Sequence, residues 1–358
     1  MSAMNAPRRR SIVLGALFAF VMIFVAACGS DSGPNVRVTI RKGSAFREAA
    51  ESLAAHGVVK SARLFGFYAK VRGHDRKLRY GTYVIRSGLS WESLLDALRA
   101  GRGIVHQVTI PEGYPISQIA PLLVEALGVT EDSVYAAVRD TSMLHRLDVP
   151  TPTLEGYLFP DTYSFADNTS AREAVRTMVE RFEKAWKPEW EERLQEMKLS
   201  RNDIITLASI VEKEVRRREE GPVIAAVYLN RLRIHMPLMA DPTVQYALGR
   251  KPGRVYFKDL KVDSPYNTYR RQGLPPGPIA SPGLRSIDAA LHPAKVPFLY
   301  FVAHPDGHHE FRKTFKEHTE AIKMVRGVAR ADSIAAAKRR AAGDTTAKRA
   351  SPPDSVKP

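Results

Sequence analysis

A chain of 358 residues, 44% hydrophobic and 26% charged, is too long for one ordinary core and too apolar to stay unfolded, so two folded units plus ends are expected. Its 54 Lys and Arg against 38 Asp and Glu give a formal charge of +16, which raises nucleic acid or an anionic surface as partners. The placement of that charge argues against nucleic acid: Arg8-Arg9-Arg10 flank an apolar run, and Lys338-Arg339-Arg340 with Lys348-Arg349 lie in an Ala/Ser/Pro/Asp-rich tail too poor in large apolar residues to fold.

From Ile12 to Ala27 no residue is charged. A crossing helix needs roughly 17 to 25 residues, so this run is at the short edge of a permanent span and long for a signal segment. The arginines before it hold that end in the cytoplasm and send the chain after Ser30 outside. Cys28, the only cysteine, follows Val25-Ala26-Ala27 and precedes Gly29-Ser30. That context resembles a lipobox, at which bacterial lipoproteins are cut and acylated; the other reading is an incidental thiol at the end of a span. Either way residues 11–27 bring the protein to the cytoplasmic membrane, single-pass or lipid-anchored, with the rest of the chain extracytoplasmic. A single cysteine forms no internal disulfide.

Val36-Arg37-Val38-Thr39-Ile40 alternates as a half-exposed strand, and Ser44 is placed to cap a helix carrying Phe46, Ala49, Ala50, Leu53 and Ala54. A second helix is expected over Ala62 to Val71, a strand over Tyr80 to Ile85, and a helix over Ser90 to Leu98 with Trp91, Leu94, Leu95 and Leu98 on one face. These make a small α+β unit, residues 35–104, resembling a LysM-type carbohydrate-binding module. Gly101-Arg102-Gly103 is the expected boundary. Beyond it, 105–328 reads as a larger mixed α+β domain and 329–358 as a disordered basic tail, so the fold class expected is α+β throughout.

In the larger domain a strand over Val105 to Ile110 meets the turn Pro111-Glu112-Gly113, and helices follow near Ile116 to Leu127 and Thr130 to Val138. Leu154-Glu155-Gly156-Tyr157-Leu158-Phe159 and the residues on to Phe165 crowd large apolar side chains around Gly and Pro, as either core or a sugar platform. Helices are expected over Ala171 to Trp186 and Arg201 to Arg217. The second of these carries Glu212 and Glu214 in an otherwise apolar register. At 100° per residue they lie roughly 160° apart, so only one can point fully into a given cleft, and periodicity does not decide which. After them come Asp241-Pro242-Thr243-Val244-Gln245-Tyr246, Pro265-Tyr266-Asn267-Thr268-Tyr269 and the rigid run Gly273 to Gly283, where Pro275, Pro276 and Pro278 fix backbone angles. Tyr266 and Tyr269 suit stacking on sugar faces, while Asn267, Gln245 and Asn230 offer amides for hydroxyl and acetamido groups. Asp241, which begins a turn before Pro242, joins this candidate substrate-binding set.

His304, His308, His309 and His318 invite a metal, but no His-Glu-x-x-His helix is present and His308-His309 fall in a turn between strands Leu299 to Ala303 and Glu310 to Arg312. No metal and no cofactor are expected.

Taken in order, Glu155 to Tyr163, Ala208 to Glu214, Asn230-Arg231-Leu232, Asp241 to Tyr246, Tyr266 to Tyr269, Gly273 to Gly283, His292-Pro293-Ala294 and Leu299 to Ala303 resemble the endolytic murein transglycosylases, the YceG-like family. The resemblance runs from about Val36 to Gly327. It implies a membrane anchor, a LysM-like subdomain and a catalytic domain that cuts peptidoglycan strands between N-acetylmuramic acid and N-acetylglucosamine, leaving 1,6-anhydro ends and terminating nascent strands. Aligning the family's Glu-Lys-Glu places the acid on Glu214, with Glu212 the alternate or a supporting carboxylate. Peptidoglycan synthases are the protein partners such a role suggests. Two rival readings remain: a muramidase-type hydrolase, and a noncatalytic wall-binding protein that recruits synthases.

Overall fold

The computed structural model describes residues 33–74, 78–250 and 253–327. The apolar run at 11–27, Cys28 and the basic tail from 329 on lie outside the described residues. Two compact units form. One takes the chain up to Thr109 with Leu123–Val129 and Thr162–Ala174; the other takes Ile110–Leu122, Thr130–Asp161 and the chain from Val175 onward.

The first unit is built on a four-stranded antiparallel sheet in the order β1 (Asn35–Ile40), β2 (Gly81–Arg86), β3 (Ile104–Thr109), β4 (Thr162–Ala166). Alternation in β1 buries Val38 and Ile40 and leaves Arg37 and Thr39 outside, as a sheet covered on one face requires. Helices α1 (Phe46–Ala55) and α2 (Ala62–Val71) separate β1 from β2, and α3 (Trp91–Ala100) follows β2. Their buried faces, Leu53, Phe65, Ala69, Leu94 and Leu98 among them, join the sheet in one core. Ser61 and Ser90 cap α2 and α3 through their hydroxyls. The residue before α1 is Ala45 and makes no side-chain cap, so Ser44 does not play the capping part expected of it.

Sequence patterning puts the division of the chain at Gly101-Arg102-Gly103. The compact units divide instead after Thr109, and the first reclaims Thr162–Ala174, because β3 pairs along its length with β4 from Val105–Ala166 to Thr109–Thr162. A pairing across more than fifty residues leaves no mark in local periodicity.

The remaining elements are α4 (Ile116–Leu127), α5 (Glu131–Ala137), α6 (Thr141–Arg146), α7 (Ala171–Ala185), α8 (Pro188–Met197), α9 (Arg201–Glu214), α10 (Gly221–Arg233), α11 (Asp241–Ala247) and α12 (Leu284–Leu291), then the hairpin of β5 (Tyr300–Ala303) and β6 (His309–Arg312). At the centre of the second unit lies α9. Its Ile204, Ile205, Leu207, Ala208, Ile210 and Val211 are all fully buried, and α10, α11, α12 and α8 pack around it. A capping box of Ser200 and Asp203 fixes its start. The helix stops at Glu214 rather than continuing to Arg217, since Val215 turns extended with ψ 124°. Leu154, Tyr157, Leu158 and Phe159 are buried, so the aromatic run before β4 is core and not an open sugar platform. Among the described residues no helix is long and apolar enough to cross a membrane.

Candidate active site

Because α9 is enclosed, its two glutamates meet different neighbours. Asn202, Ser209 and Glu212 fall within about 80° of one another around the axis. All three reach the Pro/Gly-rich run. Asn202 Nδ2 donates to Pro276 O at 3.3 Å, Ser209 Oγ accepts from Ile279 N–H at 3.0 Å, and Glu212 Oε2 accepts from Gly283 N–H at 3.0 Å. The same run is tied to the turn after residue 110, where Gly113 N–H donates to Ser281 O at 2.8 Å and Ser281 N–H donates to Tyr114 O at 2.9 Å. Lys213 Nζ donates to Gly113 O at 3.1 Å. Glu212 is thereby a strut that satisfies an N–H otherwise unpaired in the interior. Beside it Glu112 lies against Gly283; burial, and next the charge of Glu212, lifts its pKa above the ordinary glutamate value.

Glu214 points elsewhere. Its Oε1 accepts a hydrogen bond from Tyr228 Oη of α10 at 3.1 Å. Burial pushes its pKa up to about 7, with the negative charge of Asp241 acting in the same direction and Tyr228, Arg216 and Arg231 opposing. Its place as the last residue of α9 adds the negative end of the helix dipole, which also disfavours the charged form. Asp241 opens α11, is exposed, and accepts from Tyr269 Oη at 2.6 Å. Thr243 Oγ1 donates to Ala240 O at 2.7 Å and Ala240 N–H donates to Thr268 Oγ1 at 3.0 Å, pinning the start of α11 to the turn that carries Tyr269. Underneath, buried Arg231 donates to Leu299 O at 2.7 Å and to Leu238 O at 2.5 Å. The result is a carboxyl that keeps its proton near neutrality, next to a second, exposed acidic group.

A further carboxyl escaped the sequence reading. Glu155 is 4% exposed, accepts from Ile116 N–H at 3.0 Å and from Tyr246 Oη at 3.3 Å, and burial pushes its pKa up to about 7. It lines a cavity of about 250 Å³ together with Tyr246, Gln245 and Lys213. Neither Glu214 nor Asp241 lines that cavity, but Lys213 and Pro242, their chain neighbours, do.

Of the candidate substrate ligands, Asp241 and Tyr269 join the Glu214 cluster, whereas Tyr266 packs on Tyr246 with ring centroids 4.8 Å apart, on the Glu155 side. Gln245 lines the cavity but directs its Nε2 to Gly253 O. Two asparagines have their amide N–H groups turned to backbone carbonyls. Asn267 is fully buried and donates to Leu260 O and Val262 O at 2.9 and 2.8 Å; Asn230 donates to Val296 O and Phe298 O at 2.8 and 3.0 Å. Amide groups brace loops through such bonds as readily as they hold hydroxyls, and the sequence does not distinguish the two uses. Tyr228 and Tyr246 were also missed; the one available signal was for Glu155, a lone charge inside an aromatic run.

The histidines occupy the β5–β6 hairpin and the helical residues after it. His304 Nε2 pairs with Glu310 at 2.8 Å, His309 Nδ1 with Glu220 at 2.6 Å, and His318 stacks on Tyr300. Among the described residues no group of three or more His, Cys, Asp and Glu stands where it could hold a metal ion.

Comparison with known proteins fits this arrangement. The model of the YceG-like family matches residues 38–324. The chain is 34% identical over 326 residues to the endolytic murein transglycosylase of Bacillus subtilis (strain 168), covering 87% of this chain and 90% of that one. It is 32% identical over 317 residues to the endolytic murein transglycosylase of Streptococcus pneumoniae serotype 2 (strain D39 / NCTC 7466), covering 80% of this chain and 57% of that longer one. Among solved structures, the yceG-like protein lmo1499 from Listeria monocytogenes is 33% identical, with a TM-score of 0.57 over 81% of this chain and all of that one. A single family model thus spans both compact units, from β1 to beyond the β5–β6 hairpin, and the chain belongs to the YceG-like family.

Proposed function

We propose that the protein is an endolytic peptidoglycan lytic transglycosylase, cutting between N-acetylmuramic acid and N-acetylglucosamine and leaving a 1,6-anhydro end. The observation that carries this is the Glu214 carboxyl, hydrogen-bonded by Tyr228 and raised to about 7 by burial, which makes it a proton donor near neutrality. The names of the Bacillus and Streptococcus relatives support the same reading. A hydrolase needs a second carboxyl to activate water or attack the sugar. Here the muramyl 6-hydroxyl is tethered to its own ring, and proximity replaces that group. Glu214 gives its proton to the glycosidic oxygen as the anomeric C–O bond breaks. The 6-hydroxyl oxygen bonds to the anomeric carbon, and its proton returns to the Glu214 carboxylate. Asp241, oriented by Tyr269, offsets the positive charge that develops on the sugar ring.

The chain order β1–α1–α2–β2 supports a LysM-like, glycan-gripping role for the first unit. The uncharged run before Cys28, flanked by arginines, supports anchoring at the cytoplasmic membrane with both units on its outer side. Mass spectrometry of digested, uncrosslinked glycan tests the reaction. Anhydro-ended fragments from the native chain, absent with Glu214→Gln, are expected; reducing-end sugars would mean hydrolysis, and no product would mean binding alone.

A further inference from the structure

We infer that the cavity beside the catalytic cluster is a subsite for a carboxylate of the stem peptide carried by the muramyl residue, with Arg139 its principal contact. This rests on the function proposed above. The cavity's volume of about 250 Å³ falls below the roughly 300–1,000 Å³ of pockets that enclose a whole drug-sized ligand, so it suits a side branch of a polymer and not a disaccharide. Among the described residues three cationic side chains line it: Arg139, Lys213 and Arg250. Among the described residues the one acidic side chain lining it, Glu155, is buried with its oxygens turned to Ile116 N–H and Tyr246 Oη. The lining therefore favours an anionic group.

The cations differ in availability. Lys213 is engaged with Gly113 O, and Arg250 with Asp259 at 2.9 Å. Arg139 is exposed just beyond the end of α5, with its guanidinium over the Tyr135 ring at 5.8 Å and no ion pair among the described residues. A guanidinium steadied by an aromatic face keeps its planar donors free for a carboxylate. Lys213 is adjacent in the chain to Glu214 and Pro242 to Asp241, so a branch held here belongs to a sugar lying at the catalytic cluster.

The test compares the full chain in detergent on two substrates prepared from one batch of uncrosslinked strands: peptide-bearing, and stripped of peptide by an amidase. The native protein is expected to show kcat/KM about fivefold higher on the peptide-bearing strands, a preference carried by KM, as for a charge at an interface rim. In Arg139→Glu that ratio should fall to about one, and Arg139→Lys should restore part of it. A native ratio near one, or a ratio unchanged in Arg139→Glu, overturns the subsite. Should neither substrate be cleaved, the proposed reaction fails and the subsite is decided by calorimetry with muramyl pentapeptide. Binding to the native chain that is lost in Arg139→Glu supports it, and no binding to the native chain refutes it.

Discussion

Tyr228 donates its phenolic hydrogen to the Glu214 carboxyl at 3.1 Å, from a ring only 1% exposed. The bond favours the charged form of Glu214 and so opposes the effect of burial. Removing it should carry the pKa of Glu214 above its present value of about 7. A general acid works only while protonated, so activity should decline as pH rises through that value, and Tyr228→Phe should move the alkaline limb to higher pH. The substitution is nearly isosteric, so stability should fall by only about 1 kcal/mol. A pH–rate profile of kcat/KM for both proteins reads the shift; an alkaline limb that stays in place would detach Glu214 from proton donation.

Glu212 and Glu214 should respond differently to the same change. Glu214→Gln cannot donate a proton, and a loss of about 10²- to 10⁴-fold in kcat is expected with the melting temperature kept. Glu212→Gln retains an oxygen for Gly283 N–H and should keep most of its turnover. Glu212→Ala leaves that N–H unpaired and should cost about 1–3 kcal/mol of stability, with activity falling only as the Pro/Gly-rich run loosens. A dead but well-folded Glu212→Gln would exchange the two roles.

Periodicity alone does not separate the two glutamates, because the partners that do are remote in the chain. Gly283 is 71 residues from Glu212, and Tyr228 is 14 from Glu214 on another helix, so neither partner enters a helical period. What local pattern does specify came out legibly: β1 and α3 are half-covered elements whose buried apolar residues recur with the period of the structure they form. Elements without such contrast stayed hidden. In α10, Ile224, Ala225, Ala226, Val227 and Tyr228 are buried in succession, leaving no polar face to mark a helix. β4 was lost inside an aromatic run, and its pairing with β3 spans the intervening helices. Asn267 and Asn230 look like ligands by residue type, and only their hydrogen-bond partners show them to be braces.

Glu155 links the fold to pH. Its folded pKa of about 7 lies above the ordinary 4.5, so the folded state holds the proton more tightly than the unfolded chain does. The resulting stabilisation is complete below about 4.5 and is lost as pH rises through about 7. A rise of this size corresponds to at most on the order of 3 kcal/mol. Glu155→Gln keeps a carbonyl oxygen for Ile116 N–H and Tyr246 Oη but cannot titrate. Denaturant unfolding should show the native protein losing stability from pH 5 to pH 8 relative to this variant. Parallel curves would mean that the Glu155 carboxyl is not protonated in the fold.

Gly156 follows Glu155 with φ +84°, a left-handed conformation that costs a side chain roughly 1–2 kcal/mol. Space is short as well: a Cβ here would meet Pro278 Cγ at 2.6 Å and Ile205 Cγ2 at 3.2 Å, both in the packed interior around α9 and the Pro/Gly-rich run. Gly43 supplies the comparison, since its φ is +82° but nothing lies within 4 Å of where a Cβ would stand. Gly43→Ala should therefore cost the backbone term alone. Gly156→Ala adds overpacking of about 1–3 kcal/mol and should be the more damaging of the two by that margin. Because Pro278 belongs to the run that Asn202, Ser209 and Glu212 fasten to α9, the strain should also lower kcat, whereas Gly43→Ala should not. Unfolding curves and turnover on glycan strands for the two variants measure both differences, and equal stability losses would show that the close approach of Gly156 to Pro278 is not what requires glycine there.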